Sequence, residues 1–168
     1  MDVGSERQRP VAILNIELLA AGTKPPVWIA TGIAEYQKRL PRDWQLNIKE
    51  IPVSKRQKGE PVAKAIQMEG LKMMAAITPG SVVVCMDRNG KNWSTEELAK
   101  NMQDWQMETG KIQLLIGGPD GLAQECLDAA HKSWSLSKLT FPHFLVRLML
   151  AEQIYRAWSV INNHPYHK

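Results

Sequence analysis

The sequence predicts an α/β protein built on a mostly parallel sheet with helices on both faces. Three observations predict it. Short apolar runs alternate with segments of helical spacing along the chain. One run, SVVVCMD at 81–87, is almost continuously apolar, as a central parallel strand buried on both faces should be. Two loops, GGPDG at 117–121 and LSKLTF at 136–141, each follow a strand, the position at which open α/β sheets bind ligands.

Residues 1–10 show no periodicity and are expected to form a disordered extension, leaving 11–168 as a single domain. Residues 11–20 are apolar and β-branched, a first buried strand, and AGTKPP at 21–26 turns the chain. Trp28, Ile29, Ile33, Tyr36 and Leu40 have helical spacing over 27–40, and Pro41 stops that helix. Leu46, Ile48 and Ile51 alternate with polar residues as a second strand, followed by the basic, turn-rich SKRQKGEP. A helix over 61–77 closes at Pro79 and Gly80, and the 81–87 strand leads into a loop, RNGKNW. Ser94 and Glu97 have capping-box spacing and open a helix that Gly110 ends. Beyond it come a strand at 112–116, a helix at 121–131 and a short strand at 134–136. A final helix opens at Phe141 or Pro142 and runs to about residue 162.

A chain of 168 residues, 44% hydrophobic and 23% charged, suits one globular domain with a real core. No apolar run approaches the ~20 residues of a membrane span, and MDVGSERQRP lacks a signal-peptide core, so a cytoplasmic location without membrane contact is expected. Cys85 and Cys126 stand far apart in apolar contexts and read as buried thiols. A net charge of +4 permits a nucleic-acid partner without requiring one.

The motifs that could carry chemistry each have two readings. In GGPDG the glycines let backbone approach a ligand and Asp120 could cap the next helix, yet an ordinary strand-to-helix turn explains them equally well. Neither GxGxxG nor a P-loop is present, which favours a ligand not gripped through phosphates. The 136–141 loop, with Ser137 and Thr140, offers backbone groups that could read an adenine edge or an amino-acid moiety, or it simply caps the last helix. That helix is apolar almost all round and must be covered on most sides, either as the central helix or against a second subunit. Glu152 and Arg156 have the favourable i,i+4 order for an ion pair. His164, Tyr166, His167 and Lys168 in the tail could stack on bases and meet phosphates. HExxH and GxSxG are both missing, so no metal site and no hydrolytic triad are expected.

LLIGGPDGL at 114–122, SWSLSKLTFPH at 133–143 and the run from Phe144 through HPYHK closely resemble the RNA large-subunit methyltransferase H family (RlmH, YbeA-like) of the SPOUT class. AAGTKPPVW at 20–28, EYQKRLP at 35–41 and IPVSKR at 51–56 extend the resemblance over 16–168. It implies a parallel sheet whose C-terminal segment forms a deep trefoil knot, a departure from the usual absence of threading. It implies a homodimer that binds S-adenosylmethionine and methylates N3 of a pseudouridine in 23S rRNA of the assembled ribosome. Carried over by position, the cofactor contacts fall on Met86, Gly117, Leu136, Ser137, Lys138, Leu139, Thr140 and Phe141. Met86 departs from the leucine of the family but has similar volume.

The matching C-terminal motif also holds the candidate catalytic residues. Arg156 and Tyr166 are expected to position the base and backbone, and His143 to pack or orient. No spacing argument identifies a general base. Lys55, Arg56, Lys58 and Lys168 are the expected phosphate contacts. The alternative from another class is a non-catalytic dimeric RNA- or ribosome-binding knot protein, and cofactor binding separates the two.

Overall fold

The computed structural model describes residues 12–53 and 58–168. In chain order these form β1 (Leu14–Ala21), α1 (Val27–Arg39), β2 (Trp44–Ile51), α2 (Val62–Ala76), β3 (Val82–Asn92) and α3 (Thr95–Glu108). β4 (Lys111–Ile116), α4 (Gln124–Ala129), β5 (Lys132–Ser135), α5 (His143–Ile161) and a 3₁₀ turn at Pro165–His167 complete the chain. The five strands pair in the order β2-β1-β4-β3-β5, every pair parallel. This is the α/β parallel sheet the sequence predicts, and it is consistent with the expected knotted class.

Alternation along the strands builds two cores. Leu14, Ile16, Leu18 and Ala20 of β1 face Ile29 and Ile33 of α1, Leu98 and Met102 of α3, and Leu150 and Ile154 of α5. Leu19 and Ala21 face the other way, with Cys85 and Leu115, onto Met73 of α2 and Cys126 of α4. Every large side chain named here is at most 4% exposed, so each contributes on the order of 1.5–3 kcal/mol of burial. The last helix is the central one of its layer: α5 packs against both α1 and α3. Cys85 and Cys126 are buried free thiols, and the Cys85 thiol donates to the Cys126 carbonyl at 3.1 Å. Burial pushes the Cys85 thiol up to about 12, which keeps it protonated and inert.

Several expectations need correction. The helix predicted over 121–131 is only α4, because Gly118 bridges to Gly121 and Gly121 sits at φ +86°. Asp120 does not cap it; the cap is Ala123, without a side-chain bond. RNGKNW is not a plain loop. β3 continues through it to Asn92, pairing with Trp134 once at Met86 and again at Lys91. Residues 87–90 therefore bulge out of the ladder as an excursion from the sheet edge. The expected disordered extension lies outside the described residues, as do Lys55 and Arg56. The Ser94–Glu97 capping box is present in both directions, at 2.7 and 3.1 Å.

A fully parallel sheet sends the C-terminal ends of all its strands to one edge. The β1–α1 turn, the β3 excursion, the glycine turn after β4 and the loop after β5 thus converge there.

Candidate functional site

At that edge lies an open cavity of about 860 Å³. Three segments wall it: the β3 end with its excursion, the glycine turn, and the loop from β5 to α5. Of the residues expected to hold a cofactor, Met86, Gly117, Leu136, Ser137, Leu139, Thr140 and Phe141 line this cavity, and Lys138 does not. Gly117 is glycine because its own turn folds back onto it: a Cβ there would lie 2.7 Å from the carbonyl carbon of Gly121. The ordinary-turn reading of the motif is thereby satisfied, and the turn still presents bare backbone to the cavity.

The 136–141 loop is held sparingly. Ser135 Oγ donates to the Ser137 carbonyl at 2.9 Å, and the Leu139 N–H donates to Ser137 Oγ at 3.0 Å. Among the described residues, the backbone groups of Lys138, Thr140 and Phe141 have no hydrogen-bond partner. Arg88 reaches across from the β3 excursion and donates to Thr140 Oγ1 at 3.1 Å.

His143, at the start of α5, stands on the cavity rim. Burial, and then the positive charge of Arg147 one turn on, hold its imidazole below the ordinary histidine range, so it is neutral at pH 7. Arg147 is 1% exposed. Its guanidinium donates to the carbonyls of Ala21 at 3.2 Å and Gly22 at 2.9 Å, beside Glu50 at 3.9 Å. It also stacks 4.8 Å over the Phe144 ring. One side chain therefore clamps the N-terminal half of α5 onto the end of β1.

Arg156 and Tyr166 are not at this cavity. Arg156 lies thirteen residues beyond His143 along α5, about 20 Å at 1.5 Å per residue. At that far end Glu152 Oε1 accepts from Arg156 Nε at 2.9 Å and Nη2 at 2.6 Å, and from the Tyr166 hydroxyl at 3.1 Å. Tyr36 of α1 lies 3.1 Å from the Tyr166 hydroxyl, whose single proton goes to Glu152, so Tyr36 is the donor there. Burial, reinforced by these partners, drives the Tyr166 phenol well above its ordinary value. The bond to Glu152 raises Arg156 further, so it stays charged. A second, mostly apolar cleft of about 470 Å³ runs between α1 and α5, lined by Gly32, Tyr36, Leu145, Leu148, Met149 and Glu152 among others.

Arg147 belongs to the C-terminal motif that the sequence marks as holding candidate groups, whereas Arg88 and Tyr36 were not expected as members of these clusters. Tyr36 lies inside the EYQKRLP motif, but Arg88 carried no signal at all. Among the described residues no group of three His, Cys, Asp or Glu could hold a metal ion. Nor is any described helix long and apolar enough to cross a membrane.

Comparison with known proteins shows the family of the chain. The family model "Predicted SPOUT methyltransferase" matches residues 14–167, nearly the whole chain. The chain belongs to the SPOUT methyltransferase family. Among solved structures, this methyltransferase is similar in fold to a "probable methylase family protein" of Haemophilus influenzae Rd KW20. There the TM-score is 0.53 at 15% identity, over 92% of this chain and 70% of that one. It is also similar to a "probable methyltransferase" of Bordetella pertussis Tohama I. That match has a TM-score of 0.51 at 11% identity, over 87% and 93% of the two chains. At such identities the likeness is one of fold.

Proposed function

We propose that this SPOUT methyltransferase transfers the methyl group of S-adenosylmethionine to N3 of a pseudouridine in 23S rRNA of the assembled ribosome, as a homodimer. The observation that carries this reading is the cavity at the C-terminal edge of the sheet, with a neutral histidine on its rim. The residues there fit the cofactor. The volume suits a ligand of that size. Met86 and Leu136 offer apolar surface for an adenine, and the backbone of Thr140 and Phe141, without a partner among the described residues, offers hydrogen bonds to its edge.

The bound group supplies an electrophilic methyl on a sulfonium, which leaves the protein mainly the task of alignment. N3 of a pseudouridine carries a proton at neutral pH. His143, neutral and on the rim, is able to accept it. Arg156, kept charged, can meet a phosphate, and Tyr166, whose proton goes to Glu152, holds the carboxylate that aims Arg156. Their distance from His143 within one chain supports a second copy. Docked across the α1–α5 cleft in the opposite sense, it brings its Arg156 and Tyr166 towards this cavity.

The test is calorimetric titration with S-adenosylmethionine, followed by transfer of labelled methyl to ribosomes carrying the unmodified pseudouridine. Binding by a dimer, with label on that one nucleotide, is the expected result. A folded dimer that binds ribosomes but neither binds the cofactor nor transfers label contradicts the reading and favours a non-catalytic RNA-binding role.

A further inference from the structure

Charge is distributed unevenly around the cavity. Among its described lining residues, Arg88 is the only permanently cationic side chain, and Asp87 and Asp120 are the only carboxylates. Arg88 is held at the mouth by backbone. The excursion that carries it is pinned at Gly90, where a Cβ would come within 2.7 Å of the Ser133 carbonyl group. The excursion is shaped by the Asn89 N–H donating to Asp87 Oδ1 at 3.1 Å. Among the described residues only Thr140, at 3.1 Å, engages the guanidinium of Arg88, which leaves the rest of its planar fork beside the cavity. Such a fork matches a carboxylate geometrically.

We propose that Arg88 binds the carboxylate of the amino-acid end of the cofactor. This deepens the reading of the same site and rests on it. S-adenosylmethionine has one anionic centre and two cationic ones, the ammonium and the sulfonium. Among the described lining residues Arg88 is the one permanently cationic side chain that can meet the anionic centre. The Arg88–Thr140 bond aims the fork while tying the excursion to the loop that meets the adenosine end.

Calorimetry on the full chain tests this with two probes, S-adenosylmethionine and its decarboxylated analogue, on wild type, Arg88→Met and Thr140→Val. Arg88 is exposed, so replacing it does not threaten folding. Arg88→Met is expected to weaken S-adenosylmethionine about fivefold, the upper end for an exposed ion pair. It should leave the decarboxylated analogue unchanged. Equal losses for both probes in Arg88→Met and Thr140→Val overturn the proposal, because Arg88 then acts only as a clasp on the loop. Unchanged affinity for S-adenosylmethionine in Arg88→Met also overturns it, and would direct the fork to an RNA phosphate. Wild type that binds neither probe overturns the cofactor reading itself, and this inference with it.

Discussion

Arg147 is buried to 1% exposure, yet its Nε–H has no partner among the described residues while its other nitrogens hold Ala21, Gly22 and Glu50. The side chain is thus under-satisfied but mechanically central to the half of α5 that carries His143. Arg147→Met keeps the stem and removes the clamp. It should cost about 2 kcal/mol of stability, since two backbone carbonyls lose a charged donor, and urea unfolding measures it. The neighbouring histidine makes a pH prediction. Its folded-state pKa is depressed by burial and then by Arg147, so the unfolded chain binds the proton more readily. The stability linked to His143 is therefore fully present above its unfolded pKa of about 6.5 and is lost as pH falls through the folded value. An NMR titration of the His143 ring should give a midpoint below 6.5, and Arg147→Met should move it upward.

At the level of elements, the helix α3 shows what a sequence states outright. A Ser three residues before a Glu closes a reciprocal cap, and Ser94→Ala should cost about 1 kcal/mol in chemical denaturation. Buried strands were equally legible, because a parallel sheet makes both faces apolar and leaves a continuous run such as SVVVCMD. The β3 excursion was not legible. It depends on Trp134 pairing twice with a strand more than forty residues upstream, and no local pattern records that. The same holds for Arg88 and Thr140, 52 residues apart. α4 was over-extended because its apolar spacing begins at a glycine whose positive φ ends helical geometry. Gly90 tests the excursion's anchoring. Gly90→Ala drives a methyl into the Ser133 backbone and should destabilise by about 1–3 kcal/mol, with hydrogen exchange quickened along β5.

At the scale of the whole molecule, the two clusters stand apart in one chain. His143, on the rim of the cavity, opens α5, and Arg156 lies about 20 Å along that helix, with Tyr166 beside it through their shared partner Glu152. Half-buried Leu145, Leu148 and Met149 line the cleft between α1 and α5. Met149→Arg should place a charge in that cleft and shift the mass in solution to a monomer, read by light scattering. With a net charge of only +4, ribosome affinity should rest on a few cations such as Lys58 and Lys168, both exposed. Reversing both should weaken binding and flatten its salt dependence.

The measurement that bears most directly on a site shared between two copies is a mixed-dimer assay. Gly117→Val spoils the cavity turn of one chain, and a double Arg156→Ala, Tyr166→Phe chain spoils the tail cluster. Each homodimer should be inactive on ribosomes. Random mixing should restore about a quarter of wild-type methyl transfer, since half the dimers are mixed and each has one intact composite site. A mixture as inactive as its components would contradict the shared site.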